Sequence, residues 1–175
     1  MQRKNRRSMP LAAGLLWGSL LVLGAGCLVS STELFDLLIG TFDVNGGEFE
    51  QATIDLSEDE TFNDHKDEIE VVDRVGFMGD VTNHSGQDAL LSVYFSTQAG
   101  LTDPVTQATP IFVNVPIPAA GRTVTYEESL DLLQNFDQLQ EAIKGGVITF
   151  YTTANGTFNL TVNDLTMIIT FTVGL

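Results

Sequence analysis

Carboxylates dominate the residues of this sequence that could do chemistry. The chain has 23 Asp and Glu residues but only two histidines, His65 and His84, and one cysteine, Cys27. A Ser, Thr or Cys nucleophile needs a base that is itself held in position, but the sequence has no G-x-S-x-G, H-E-x-x-H or Walker motif, and the two histidines do not have metal-ligand spacing to each other. Paired carboxylates could hydrolyse glycosides, but a chain so rich in acids contains such pairs by abundance alone. The sequence therefore predicts a protein without catalytic residues, and not an enzyme.

Calcium is the most specific ligand that the carboxylates suit. Asp55, Ser57 and Asp59 occupy alternate positions, as the first oxygen ligands of a calcium-binding loop do. The rest departs from that pattern, because Glu60 stands where the loop needs Gly and Lys66 where it needs a bidentate Glu. We keep a calcium site at the first three residues as a hypothesis, beside the alternative of a solvated acidic surface that favours solubility. No other cofactor is predicted.

The N-terminal segment has the features of a secretory signal. Basic residues at positions 3, 4, 6 and 7 precede an apolar stretch over 11–23. The stretch runs through small residues into Cys27, which resembles the lipobox of bacterial lipoproteins, although Leu23 lies four residues before the cysteine rather than three. The resemblance implies that residues 1–26 are a signal peptide and that the Cys27 thiol is acylated. An uncleaved membrane-spanning helix and a cleaved chain with a free thiol are the alternatives.

Charge narrows the set of partners. The chain from Cys27 onward keeps four basic residues against all 23 acidic ones, a net charge of −19. A body so acidic repels phosphate backbones, so we expect no nucleic-acid partner. Anionic headgroups repel it as well, so we expect membrane attachment through acyl chains on Cys27, with the body standing off the bilayer. The single cysteine excludes an intramolecular disulfide.

Alternation of apolar residues with a period of two predicts β-strands over most of the remaining chain. The predicted inward faces are Ala52, Ile54 and Leu56; Ile69, Val71, Val75, Phe77 and Val81; Leu91, Val93 and Phe95; Ile111, Val113, Val115 and Ile117; and Leu165, Met167, Ile169, Phe171 and Val173. Pro116 and Pro118 cannot donate backbone hydrogen bonds, so their strand is expected at a sheet edge. Asn155-Gly156 predicts a hairpin between strands at 147–153 and 157–162.

One helix is predicted, near 130–144. Its single apolar stripe consists of Leu132, Phe136, Leu139 and Ile143. Ser129 or Asn135 is the expected N-cap. Many short strands with almost no helix predict an all-β protein, an immunoglobulin- or fibronectin-III-like β-sandwich of seven or eight strands. A barrel is the main alternative.

Composition divides the chain into three parts. Residues 1–26 are the signal peptide, residues 27–47 are expected to be a tether or linker, and residues 48–175 are the sandwich domain. The linker prediction rests on the weak apolar pattern of residues 27–47. This segment is expected to dock only in part on the domain. Within the domain, the acidic stretch at 57–68 is predicted to be a solvated loop or a short capped turn.

Five segments of the domain follow one another in an order typical of one family. They are 80–83 (DVTN), 92–95 (SVYF), 115–124 (VPIPAAGRTV), the leucine-bearing stretch 130–143, and 146–151 (GVITFY). This order resembles the water-stress (WHy) group of late-embryogenesis-abundant type 2 proteins over about residues 69–173, although His84 follows Asn83 where the family has Pro. The resemblance implies a fibronectin-like sandwich without a catalytic centre, associated in the family with protection against desiccation and stress.

These observations lead to two functional hypotheses. The first is a non-enzymatic, lipid-anchored β-sandwich outside the bacterial cytoplasmic membrane, on the periplasmic or outer-membrane face, with a stress-protective or structural role in the cell envelope. The second is a binding, assembly or adhesion subunit that meets an envelope protein through a strand edge or through its acidic, calcium-binding loop.

Overall fold

The computed structural model describes residues 30–174. The strands in this range are β1 (Ser30–Asn45), β2 (Glu50–Asp55), β3 (Ile69–Asn83), β4 (Ala89–Ser96), β5 (Thr109–Ile117), β6 (Arg122–Val124), β7 (Val147–Ala154) and β8 (Asn159–Gly174). The helices in the same range are α1 (Glu60–His65), α2 (Pro104–Gln107), α3 (Tyr126–Leu132) and α4 (Phe136–Lys144), with a 3₁₀ turn at Leu56–Glu58. Cys27 and the predicted signal peptide lie outside the described residues.

The eight strands within residues 30–174 form two four-stranded antiparallel sheets. The first sheet has the order β1-β8-β3-β6 and the second has the order β2-β7-β4-β5. Apolar side chains from both sheets pack between them. The predicted all-β sandwich is therefore confirmed, and β5 lies at a sheet edge, as its prolines predicted.

β8 shows how the alternation builds the core. Met167, Ile169, Phe171 and Val173 are each at most 1% exposed, whereas the residues between them are only half-buried. Successive side chains of a strand point to opposite faces, so one face of β8 meets the second sheet. Full burial of each such side chain contributes roughly 1.5–3 kcal/mol.

Two clusters of apolar side chains fill the space between the sheets. The large core cluster is centred on Phe35, Phe62, Phe77, Phe150, Ile169 and Phe171. The small core cluster is centred on Val44, Val81, Leu91, Ile117, Leu160 and Val162. Phe112 and Leu165 pack against both clusters.

Both sheets are irregular where the two clusters meet. In the first sheet the register shifts around Gly40 (φ +110°) in β1, at Asp164 (φ +50°) in β8, and between Met78 and Asp80 in β3. In the second sheet it shifts between β4 and β5, where Asn114 has φ +54°. Such β-bulges bend a strand and change the face to which the following side chains point.

The linker predicted at 27–47 is wrong for residues 30–45, which form the edge strand β1. β1 pairs along its length with β8, from Ser30 opposite Gly174 to Asn45 opposite Asn159. The inward residues are Phe35, Leu37 and Ile39 before the bulge, and Phe42 and Val44 after it. The apolar pattern looks weak because the bulge moves it from odd to even positions.

Bulges also explain two wrong side-chain assignments. Val71 is 47% exposed and Val113 is 38% exposed, although both were predicted to face inward. Register shifts on either side of Val72 turn that residue into the core instead. In β5, the positive φ of Asn114 breaks the alternation next to Val113.

The predicted Asn155-Gly156 hairpin is wrong, because its two strands belong to different sheets. β7 lies in the second sheet and β8 in the first, so the turn carries the chain across the sandwich. The Asn155 side-chain oxygen accepts a hydrogen bond from the backbone N–H of Leu90, at 2.7 Å. The segments predicted at 157–162 and 165–173 are one bulged strand, β8.

The single helix predicted near 130–144 is two helices, α3 and α4. Asn135 lies between them with φ +53° and makes no side-chain capping bond, and the cap of α3 is Thr125. Ser129 is buried inside α3, where its hydroxyl accepts a hydrogen bond from the backbone N–H of Phe77, at 2.7 Å. The side-chain amide of Gln140 donates to the Val72 carbonyl. The two helices therefore cover the part of the β3 edge that the short strand β6 leaves open.

Candidate functional site

The three residues of the calcium hypothesis begin at the last residue of β2, where Asp55 caps the 3₁₀ turn, and end at Asp59, which caps α1. The Asp55 carboxylate accepts hydrogen bonds from the hydroxyl of Ser57 (2.5 Å) and from its backbone N–H (3.0 Å). The hydroxyl bond, followed by the backbone bond, holds the pKa of Asp55 below its ordinary value. Asp59 accepts a hydrogen bond from the backbone N–H of Phe62, at 3.0 Å, and so caps α1.

α1 brings an apolar side chain of the acidic stretch into the core. Phe62 is 1% exposed, and its ring centroid lies 5.9 Å from that of Phe35. In place of the predicted solvated loop or short capped turn, 57–68 holds the end of a 3₁₀ turn and the capped helix α1. The three candidate ligands serve this turn, and among residues 30–174 no group of three Asp, Glu, His or Cys side chains is placed to hold a metal ion. Calcium binding stays a prediction.

The two histidines lie in different surroundings. His65 Nδ1 lies 3.5 Å from a Glu68 carboxylate oxygen in the acidic stretch. His84 Nε2 lies 2.9 Å from the Thr161 hydroxyl, which is also 2.6 Å from a carboxylate oxygen of Asp43. Because that hydroxyl donates its one proton to Asp43, His84 acts as the donor to Thr161. This order differs from a catalytic triad, in which the histidine accepts the proton of the hydroxyl.

A cavity of about 190 Å³ lies between the sheets, at the boundary of the two core clusters. Each strand within residues 30–174 contributes to its wall, including Phe42 of β1, Ala52 of β2, Val93 of β4, Phe112 of β5 and Leu165 of β8. Most of the wall is apolar. Left empty, a cavity of this size costs roughly 4.5 kcal/mol, at about 24 cal/mol per Å³.

The bulges explain why the core is open at this level. Gly40 of β1 is paired with Leu165 of β8, next to the bulge residue Asp164. In β3, Gly79 sits between the shifted pairs and forms part of the cavity wall. The wall of the second sheet includes Val93 and Phe112, which face each other at its register shift. Both sheets thus bend where their inward side chains fail to meet.

The polar residues of the wall lie towards one side, where the edge strands β1 and β2 approach each other. The Thr41 hydroxyl accepts a hydrogen bond from the backbone N–H of Asp164, at 3.1 Å, and the Gln51 side chain accepts one from Gly100, at 3.0 Å. Glu50 and Thr152 stand directly opposite each other on β2 and β7. Thr152 is only 5% exposed. Glu50 and Thr152 therefore form a polar pair in a mostly apolar wall.

Two features of the sequence are related to this cavity, although neither predicts it alone. Glycine inside a strand pattern indicates a bulge or a bend, and Gly40 and Gly79 both have that position. Ala52 is a small residue on a face that otherwise carries Ile and Leu. The cavity itself depends on bulges of both sheets lying at one level, which follows only from strand pairing.

No protein-family model matches this sequence, and no curated protein matches it. None of the helices in the described part of the chain is both long enough and apolar enough to cross a membrane.

Proposed function

We propose that this protein is a non-enzymatic β-sandwich that acyl chains on Cys27 hold on the extracytoplasmic face of a bacterial membrane. Its proposed role is structural or stress-protective in the cell envelope, as the sequence resemblance to the WHy group implies. The single observation that carries the anchoring proposal is the order of basic residues, an apolar stretch and small residues that leads into Cys27.

Only two residues separate Cys27 from Ser30, so an anchor on Cys27 would lie close to the fold. Ser30 is paired with Gly174 at the end of the first sheet, so β1 is part of the sandwich from its first residue. Three residues of extended chain span about 10 Å. Acyl chains on Cys27 would therefore keep this end of the sandwich close to the headgroups, instead of at the end of the long tether predicted from the sequence.

Charge sets how closely the anchored end approaches the membrane. The acidic stretch lies at the same end as Ser30, because Gly174 donates a backbone hydrogen bond to Glu68, at 3.0 Å. Glu68 and Glu70 are exposed there. Anionic headgroups repel these carboxylates, so the anchored end should stand off the bilayer as far as the short segment after Cys27 allows.

The positions of the histidines support the non-enzymatic part of the proposal. His65 faces Glu68, and His84 faces a Thr161 hydroxyl whose proton is directed to Asp43. Neither arrangement has a base that removes a proton from a hydroxyl nucleophile.

Acylation can be tested directly in cells. Cells grown with an alkyne-tagged fatty acid should incorporate the tag into the protein, and mass spectrometry should find it on Cys27. The Cys27→Ser variant should carry no tag and should leave the washed membrane fraction. A bare Cys27 thiol in the membrane-bound wild type would contradict the proposal.

The protective role needs a separate experiment. A strain that lacks the protein should survive drying and osmotic shock less well than the wild type, and the wild-type gene should restore survival. The Cys27→Ser gene should restore it only in part, because the protein is no longer held at the membrane. Equal survival of all strains would remove the protective role and leave the structural one.

A second candidate function is assembly with an envelope protein, and the outer face of the first sheet favours it. Leu34 and Leu38 of the edge strand β1 are 62% and 65% exposed. Crosslinking in cells through residues on β1 should capture a stoichiometric partner, and Leu38→Lys should abolish the capture. Calorimetry with calcium tests whether assembly uses a calcium site at Asp55, Ser57 and Asp59. An absence of binding heat would rule out that site.

A further inference from the structure

We propose that the interior cavity is a binding site for a small amphiphile with an apolar body and a head group that donates hydrogen bonds, either a hydroxyl or an ammonium. The body would fill the apolar part of the cavity, and the head would contact Glu50 and Thr152. This site is independent of the acylation of Cys27.

The size and lining of the cavity favour an apolar body. At about 190 Å³ it is somewhat larger than an apolar cavity of about 150 Å³, which stays free of water and binds benzene. Water needs two to four polar partners to be stable inside a protein. Deep in the wall, side chains such as Phe77, Leu91 and Phe150 supply none.

Glu50 and Thr152 determine which kind of head group the cavity would accept. Thr41 and Gln51 already accept hydrogen bonds from backbone N–H groups. Glu50 and Thr152 are directly opposite each other in the β2–β7 register and both belong to the cavity wall. A carboxylate accepts hydrogen bonds and attracts positive charge, so a donating head suits this position.

Charge excludes the opposite class of amphiphile. From Cys27 onward the chain has a net charge of −19, and Glu50 adds a negative charge at the site itself. A carboxylate or phosphate head would meet repulsion during approach and again beside Glu50. Fatty acids and anionic phospholipids are therefore poor ligands for this cavity.

Photoaffinity labelling of the full-length protein in its own membranes tests the proposal. The probes are three eight-carbon chains, each with a diazirine on the chain and a primary amine, a hydroxyl or a carboxylate as the head. The amine and hydroxyl probes should label peptides that contain wall residues such as Val93 and Phe112, and an excess of 1-octanol should suppress this labelling. The carboxylate probe should label the same peptides about tenfold less.

Two variants assign the contacts. Ala52→Leu places a larger side chain in the cavity and should reduce saturable labelling by both probes about tenfold, whereas Thr53→Leu, on the outer face of the same strand, should not. Glu50→Gln should weaken labelling by the amine probe about tenfold, change the hydroxyl probe less than threefold, and strengthen labelling by the carboxylate probe.

Three results would overturn the proposal. They are equal labelling by all three head groups, labelling confined to outer-face residues such as Leu34 and Leu38, and unchanged labelling of the Ala52→Leu variant. Thr152→Val, which keeps the size of the side chain and removes its hydroxyl, covers the case in which Ala52→Leu fails to fold. In that variant, hydroxyl-probe labelling should fall severalfold, and an unchanged value would count against the assigned head-group position.

Discussion

The two ends of the large core cluster are packed very differently. At the end away from the cavity, the ring centroid of Phe35 lies 5.9 Å from that of Phe62 and 5.8 Å from that of Phe171. Aromatic rings therefore fill the space between the sheets there. At the other end, Phe112 and Leu165 face a cavity. Both ends consist of similar apolar side chains on alternating strands. The difference shows that bulges in the strands decide whether side chains of the two sheets meet.

The largest expected effect on stability comes from truncating one apolar side chain at each end to Ala. Phe171→Ala should lower the free energy of unfolding by about 3–5 kcal/mol, because it removes a fully buried ring and leaves a new void. Leu165→Ala should cost less, about 1–2 kcal/mol, since its side chain is half-buried and already borders empty space. Urea unfolding of both variants measures the two costs. Equal costs would mean that the cavity end is packed as tightly as the aromatic end.

The next effect concerns the boundary between the two ends. Phe77 belongs to the large core cluster and borders the cavity, and its backbone N–H donates to the buried hydroxyl of Ser129. Ser129→Ala leaves that N–H without a partner and should cost about 1–3 kcal/mol. Asp131→Ala, on the exposed face of the same helix, is the control and should change stability little. Amide exchange at Phe77 should become faster in the first variant only.

A smaller effect of opposite sign should make the two ends more alike. Ala52→Leu adds three carbon atoms at the cavity wall and should raise the free energy of unfolding by about 1–2 kcal/mol, because it buries apolar surface without leaving a void. Thr53→Leu on the outer face is the control. A loss of stability in Ala52→Leu would show that the cavity cannot hold additional atoms.

The smallest effect concerns the turn that delivers Phe62 to the packed end. The Ser57 hydrogen bonds lower the pKa of Asp55 in the folded protein below its ordinary value of 3.8. The charged carboxylate therefore stabilises the fold above about pH 4, and this contribution disappears as the pH falls through the lowered pKa. The stability difference between wild type and Asp55→Asn should shrink in acid. Ser57→Ala should remove most of this pH dependence of stability. A stability difference between wild type and Asp55→Asn that stays constant with pH would contradict the prediction.

Regular strands were predictable from the sequence, and the bulged ones only in part. Met167 to Val173 keep one phase, so their alternation indicates their burial without knowledge of any partner strand. In β1 the phase changes at Gly40, and in β5 at Asn114, so a pattern of fixed period fails there. Register depends on pairing between distant strands, and local sequence does not contain that information.

The turn at Asn155-Gly156 shows the same limit on the prediction of topology. Its residues predict a tight turn, and Gly156 does have a positive φ of +70°. The destination of the chain after the turn depends on which sheet has room for β8. That choice is made by pairing with β1 and β3, which lie far away in the sequence.

The cavity was the hardest feature to predict, because residues from all eight strands of the described chain form its wall and no local sequence motif marks it. The spacing of Asp55, Ser57 and Asp59 predicts calcium ligands. In the structure Ser57 donates a hydrogen bond to Asp55, and Asp59 caps α1. Glu50 and Thr152 stand far apart in sequence and meet only through the β2–β7 register. Nothing in the surroundings of either residue in the sequence marks it as one of a pair.

The pairing of β1 with β8 has a consequence for how the molecule is made. Within the described chain β1 has β8 as its only sheet neighbour, and β8 is synthesised after the other seven strands. The first sheet therefore cannot be completed until β8 has left the ribosome, and β1 stays unpaired until then. Folds that depend on such distant contacts form slowly and expose strand edges meanwhile. A chaperone that holds the nascent chain would find its clearest target in β1.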